Sequence, residues 1–218
     1  MKRRRRRRRY SGCDPRTFDR FYARPLLGMD EVGTGCIAGP ICAAAVVLPK
    51  SLEVLDILVD MGLRDSKDMT PLTRDRCFDF LQKHAEYTRN VYVFPRDIEK
   101  HGLGPSLDKM YSNLISTYRK AATPGSVLID GNDRKGVEFS HQGIPQGDQK
   151  SLTISAASVW AKVSRDRLME HLAGSYPGYG FENHKGYDTR GHREALEKLG
   201  ICDIHRKNTK TIKRLLKT

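Results

Sequence analysis

The sequence predicts an α/β fold, a mixed sheet flanked by helices in one domain. Three observations carry that prediction. Apolar runs of strand length alternate with stretches of helical period. Two of those runs end on acidic residues followed closely by glycine, where an open α/β sheet places its ligand sites. The length of 218 residues suits one domain of roughly 100 to 200 residues and leaves little for a second.

Residues 1–24 open with Lys2 and Arg3 through Arg9 and continue as a mixed polar stretch containing Gly12 and Pro15. Lacking an apolar period, they are expected to form a basic, disordered tail outside the core, with residues 25–218 as the domain proper. The arginine run reads either as a solvated tail or as a nonspecific nucleic-acid arm. The body starts at Pro25-Leu26-Leu27-Gly28-Met29, leading into Asp30-Glu31. After a glycine-rich turn comes Ile41 to Leu48, a buried strand that pairs with the first as a hairpin. Thr70-Pro71 marks a helix start, Thr as N-cap and Pro in the first turn, with Cys77, Phe78, Phe80 and Leu81 as its apolar positions. A strand over Arg89 to Phe94 follows, then a helix from Ser106 to Arg119 stopped by Thr123-Pro124-Gly125. Ser126 to Asp130 is a strand ending on an acid. A longer helix runs from about Ser151 to Ala173. The stretch Asp203 to Thr218, with Arg206, Lys207, Lys210, Lys213, Arg214 and Lys217, is expected to be a helix whose cations are either a solvated face or a duplex contact.

The formal net charge is +13; without the eight cations at positions 2–9 it falls to +5. The body is still basic, which favours a polyanionic partner such as nucleic acid. Five cysteines without CxxC spacing point to a reduced, cytoplasmic chain. No apolar run approaches the ~18 residues of a membrane span, and no signal-peptide core follows the arginines.

Chemistry concentrates in three segments. In Asp30-Glu31-Val32-Gly33-Thr34-Gly35 two carboxylates stand ahead of the glycines, where they repel a bare pyrophosphate and attract a cation. Neighbours on a strand point to opposite faces, so both reach one ion only if the strand ends or bulges there. The alternative is an acidic strand end before a tight turn. Asp130, before Gly131, is a third candidate ligand or a turn former. Asp166, on the long helix, is a fourth, or simply pairs with Lys162 four positions earlier.

As a set these segments resemble the ribonuclease HII family. The Asp-Glu-Val-Gly-x-Gly opening, Asp65-Ser66-Lys67, the Ile129-Asp130-Gly131 strand end, Gly147-Asp148 before Ile154-Ser155-Ala156-Ala157-Ser158, the helix Ala161-Lys162-Val163-Ser164-Arg165-Asp166, and His184-Lys185-Gly186-Tyr187 occur in that family's order. The resemblance implies an RNase H-like mixed sheet with a C-terminal helical extension. It makes Asp30, Glu31, Asp130 and Asp166 the metal ligands and catalytic acids, holding Mg²⁺ or Mn²⁺, two ions roughly 3.5 to 4 Å apart. Gly33, Thr34 and Gly35 are implied to meet the substrate 2′-hydroxyl through backbone, Ser66 and Lys67 to meet phosphate, Lys185 to bind substrate, and Tyr187 to lie beside the sugar at the RNA-to-DNA junction. The activity implied is endonucleolytic hydrolysis of RNA in RNA/DNA hybrids and incision 5′ of ribonucleotides embedded in DNA, leaving 5′-phosphate and 3′-hydroxyl ends, by a monomer with no membrane association.

Two segments depart from that family. Gly33-Thr34-Gly35 replaces Gly-Arg-Gly, and Lys207-Asn208-Thr209-Lys210 replaces its usual ending; both are similar to the sister family, ribonuclease HIII, which acts on longer hybrids. A non-catalytic nucleic-acid-binding protein on the same fold, and a general exonuclease with four acids, are the further alternatives.

Overall fold

The computed structural model describes residues 15–63 and 66–216. In chain order the elements are α1 (Pro15–Asp19), β1 (Leu26–Val32), β2 (Ile41–Val47), α2 (Leu52–Asp60), α3 (Pro71–His84), β3 (Tyr87–Val93), α4 (Pro95–His101), α5 (Leu103–Arg119), β4 (Ser126–Asp130), β5 (Gln142–Ile144), α6 (Gly147–Lys150), α7 (Leu152–Ser175), α8 (Phe181–His184), α9 (Arg190–Leu199) and α10 (Lys210–Leu215). The sheet order is β3-β2-β1-β4-β5. β1, β2 and β3 pair antiparallel, while β4 runs parallel to β1 and β5 parallel to β4. This mixed five-stranded sheet with helices on both faces is the architecture predicted.

Strand alternation sorts the core. Cys42, Ala44 and Val46 of β2 face α2, α3 and α7, where Phe78 stacks on Trp160 at 4.2 Å between ring centroids. Leu27, Met29, Ala43, Ala45, Val127 and Ile129 face α5, meeting Met110, Tyr111, Leu114 and Ile115. Both faces are covered, so β2 is buried along its whole length and reads as a continuous apolar run. α7 approaches β1 closely because Gly28 has no side chain: a Cβ there would stand 2.7 Å from the Thr153 carbonyl carbon.

The helix predicted from Ser151 begins as expected, with the Ser151 hydroxyl accepting from Ile154 N at 3.1 Å. The Thr70 cap and Pro71 also stand where predicted. Two expectations are corrected. Residues 15–24 are not a loose tail: Asp19 is buried and accepts from Thr153 N at 2.9 Å and Thr153 Oγ1 at 2.7 Å, capping α7 alongside Ser151. Phe18 and Tyr22 pack on the cluster of Leu26, Leu128, Ile144 and Ile154. The arginine run lies outside the described residues. The second correction is in the segment from Asp203, where among the described residues only Lys210–Leu215 is helical. Ahead of it the chain is stitched to the glycine-rich turn through Gly39 N to Ile204 O at 2.8 Å and Arg206 N to Ile37 O at 2.8 Å. Arg206 is thereby 2% exposed and belongs to the interior, not to a solvated face.

Substituting Asp19→Ala strands the backbone N–H and hydroxyl of Thr153, at a cost of about 1–2 kcal/mol. Thermal unfolding is expected to show a melting temperature lowered by roughly 5 °C; an unchanged value would mean that this segment is not part of the cooperative core.

Candidate active site

Parallel pairing puts β1 and β4 in register through Met29 and Ile129. The next residue of each strand is an acid, and both acids fall on the α7 side, the face shared with Leu26 and Leu128. α6 follows β5 on the same side and brings Asp148 to them. One carboxylate oxygen from each of Asp30, Asp130 and Asp148 lies within 4.8 Å of the others. Asp130 is steadied by Gly147 N at 2.6 Å and Asp148 N at 3.3 Å, both donating to its Oδ1. Burial pushes Asp30 well above the usual carboxylate range, and the negative charges of Asp130 and Glu31 push it further; hydrogen bonds from Ser158 and from Glu31 N, at 2.7 Å to Oδ1, only partly oppose this. Three acids of one sign and no nitrogen or sulfur donor make an oxygen-only set, the kind that suits a hard divalent cation. The donors present fit such an ion, because a cation would relieve the repulsion that raises Asp30.

Glu31 does not converge with them through a bulge. β1 keeps regular pairing with β2 past it, Asp30 opposite Ala44, Glu31 opposite Ala43 and Val32 opposite Cys42. The Glu31 side chain therefore points to the α5 face, where the Tyr111 hydroxyl donates to its Oε2. Its carboxyl is also raised by burial, with the Tyr111 bond and the charges of Arg134 and Lys67 working against the rise. The fourth expected acid stands elsewhere. Asp166 pairs with Lys162 at 2.9 Å, and lies eight residues beyond Ser158, about 12 Å along the axis of α7. Asp148, and not Asp166, stands with Asp30 and Asp130.

The remaining expected residues divide similarly. Ser66 is buried with its hydroxyl 3.0 Å from that of Ser158, so it braces α7. Lys67 is exposed at the rim, its Nζ 3.9 Å from Asp148 Oδ2; Asp65 lies outside the described residues. Lys185 turns its ammonium to Glu170 at 2.8 Å. Tyr187 is partly exposed, with Lys162 Nζ and Arg165 Cζ 5.4 and 5.8 Å from its ring centroid. Gly33, Thr34 and Gly35 leave β1 as a loop built around two buried guanidinium groups. Arg165 donates to Pro40 O at 2.8 Å, Lys185 O at 2.9 Å and Ala38 O at 3.3 Å. Arg206 donates to Gly39 O at 2.9 Å and Thr34 O at 3.3 Å. Gly186 O accepts from Ile37 N and Ala38 N at 3.0 and 3.2 Å, so the glycine loop and the Lys185–Tyr187 loop form one unit. Gly33, at φ 88°, needs glycine twice over, since a Cβ would also run into Arg165.

Sequence reasoning missed Asp148, Tyr111, Arg165 and Arg206 as parts of the site. Gly147-Asp148 was visible as a motif, but a four-residue helix has no period to mark it.

The family model of ribonuclease HII matches residues 27–215. A ribonuclease HII of Bacillus mycoides is 37% identical over 191 residues, covering 88% of this chain and 71% of its own. Among solved structures, ribonuclease H2 from Pyrococcus horikoshii superposes with a TM-score of 0.73 at 24% identity, over 88% of this chain and 97% of its own. Bst-RNase HIII in complex with Mn²⁺ superposes with a TM-score of 0.67 at 17% identity, over 88% and 69%. The family match over residues 27–215 and the 37% identity to a relative over 88% of this chain lead to one conclusion: this chain belongs to the ribonuclease HII family.

Proposed function

We propose that this ribonuclease cuts the RNA strand of RNA/DNA hybrids, and 5′ of ribonucleotides embedded in duplex DNA, leaving 5′-phosphate and 3′-hydroxyl ends. Membership of the ribonuclease HII family makes it a divalent-metal-dependent endonuclease on hybrids; the finer reading rests on the convergence of Asp30, Asp130 and Asp148 at adjacent parallel strand ends. These three are the residues proposed to hold Mg²⁺ or Mn²⁺, and Glu31, next to Asp30 in β1, adds its negative charge from the other face. Such ions supply activation of a water and neutralisation of the departing 3′-oxygen.

The chain's own residues do the rest. Asp30 is held in place by Ser158 and the Glu31 amide, so the cluster keeps its shape without an ion. Tyr111 fixes the Glu31 carboxylate from the far side of the sheet. Lys67, charged and at the rim beside Asp148, is placed to meet a phosphate without reading sequence. Gly33, Thr34 and Gly35 offer backbone at close range to a sugar 2′-hydroxyl, and Tyr187 presents a ring and hydroxyl to the sugar at the junction. Lys185, whose ammonium is engaged by Glu170, contributes through its carbonyl, which Arg165 holds. The working unit is proposed to be a monomer in the cytoplasm; among the described residues no helix is long and apolar enough to cross a membrane. Thr34 favours a second reading, preference for long hybrids, because it lacks the arginine that the Gly-x-Gly loop of this family usually carries.

Cleavage of two end-labelled duplexes, one all RNA opposite DNA and one with a single ribonucleotide in DNA, tests this in Mg²⁺ or Mn²⁺. Both are expected to be cut by the unmodified chain, with kcat falling on the order of 10³-fold in Asp130→Asn and in Asp148→Asn, and less than about tenfold in Asp166→Asn. Cutting of the long hybrid alone supports the second reading; an inert Asp166→Asn beside an active Asp148→Asn would refute the ligand set.

The raised Asp30 carboxyl also predicts a pH signature in chelator. A group whose folded pKa lies above its unfolded value of about 3.9 adds stability at low pH and loses it as pH rises through the folded value. Asp30→Asn has no such carboxyl. Without metal it is expected to melt higher than the unmodified chain by on the order of 5 °C at pH 8, with the gap closing below pH 5. A gap that is absent, or that widens on acidification, would contradict the burial of a charged Asp30.

A further inference from the structure

We infer that His192 and His205, together with His184, are positioning residues that set Tyr187, a role that rests on the reading of Tyr187 as the residue beside the sugar. The hydrogen bonds around Tyr187 carry the argument. Its carbonyl accepts from His192 Nδ1 at 2.8 Å and from Thr189 N at 2.9 Å. Its amide donates to His184 O at 2.9 Å, and the preceding Gly186 N donates to His184 Nδ1 at 3.2 Å. The peptide groups on both sides of Tyr187 are therefore fastened, and imidazoles supply two of the four bonds.

The tautomers follow from which partners can only accept or only donate. A carbonyl accepts, so His192 carries its proton on Nδ1, and His184 carries its own on Nε2, which donates to Tyr179 O at 2.8 Å. His192 Nε2 is then an acceptor. His205 Nε2, 3.1 Å away, must donate to it, which leaves His205 Nδ1 to accept from Cys202 N at 2.9 Å. One directed chain of bonds thus runs from the Cys202 amide through two imidazoles to the Tyr187 carbonyl. It is consistent only with uncharged rings, because a further proton on His192 Nε2 would face the His205 Nε2–H, and one on His205 Nδ1 would face the Cys202 N–H.

Packing holds the rings in that arrangement. His184 stacks on His192 at 4.2 Å and 12°, and Phe181 sets its edge or face against all three at 5.4 to 5.7 Å. His192 is 0% and His205 1% exposed, and burial presses both imidazoles down to about 4, so they stay neutral around pH 7. A purely apolar core would fill this space with leucine or phenylalanine. The imidazoles add a donor aimed at the one partly exposed aromatic residue of the loop.

The test is a double-mutant cycle read as the ratio of kcat/KM on an RNA–DNA junction duplex to that on an all-RNA hybrid. His192→Phe keeps the ring and removes the donor; His192→Asn replaces Nδ1–H with an amide N–H. His192→Phe is expected to lower the ratio about tenfold, the scale of one lost hydrogen bond, and His192→Asn to restore most of it. In a Tyr187→Ala background, where the ratio is already low, His192→Phe should change it no further. An unchanged ratio in His192→Phe beside a lowered one in Tyr187→Ala overturns this inference alone, as does an equal loss in both backgrounds. No junction preference in the unmodified chain, or one untouched by Tyr187→Ala, overturns the Tyr187 reading as well. Should His192→Phe fail to fold, nitrogen NMR of the unmodified protein at pH 7 decides: Nδ1–H on His192 and Nε2–H on His184 and His205 support the inference, and any other tautomer or a charged ring overturns it.

Discussion

Two carboxylates that repel each other are held side by side because the strands carrying them are parallel neighbours in one register. β1 and β4 pair through Met29 and Ile129 and then each places an acid on the α7 face. The position is a consequence of the backbone ladder and not of side-chain choice, so neither acid can move away without breaking sheet hydrogen bonds. α7 lies close against this edge because Gly28 has no Cβ, which would collide with Thr153. That closeness buries Asp30 and raises its carboxyl. The sheet, the glycine and the helix together hold a concentration of negative charge that folding alone disfavours and a divalent cation relieves.

Around this cluster the glycine loop and the Lys185–Tyr187 loop are ordered by buried cations and neutral imidazoles. Arg165 and Arg206 collect carbonyl oxygens from Thr34, Ala38, Gly39, Pro40 and Lys185, which fixes the course of the glycine loop. Arg206 is sealed so deeply that burial lowers its guanidinium to about 10. A loop arranged this way presents backbone to a nucleic acid while its shape is set from beneath. The acid cluster and the two loops are thus supported by separate networks, one under the sheet ends and one under the loops.

Much of this was legible in the sequence where the signal is local. Thr70-Pro71 marks α3, the apolar runs mark β1, β2 and β4, and Asp30 and Asp130 are seen as strand-end acids because each is followed closely by glycine. Asp166 belongs to a motif on a long helix, but helical rise carries it away from Asp30 and Asp130 along α7. Asp148 was passed over because α6 is four residues long and starts after Gln146, a left-handed residue at φ 56°, with no pattern to announce it. The polar stretch before residue 25 concealed Asp19, whose partner is 134 positions away. The histidine stack joins residues from three segments, and only the fold brings them together.

The proposed cation site is built by Asp30, Asp130 and Asp148, with the Glu31 carboxylate on the other face of β1, and excludes Asp166. Calorimetric titration of Mn²⁺ into the unmodified chain, Asp148→Asn and Asp166→Asn measures this without substrate. Affinity is expected to weaken at least about tenfold in Asp148→Asn and to stay within about twofold in Asp166→Asn. The reverse pattern, or equal binding by all three, would contradict it.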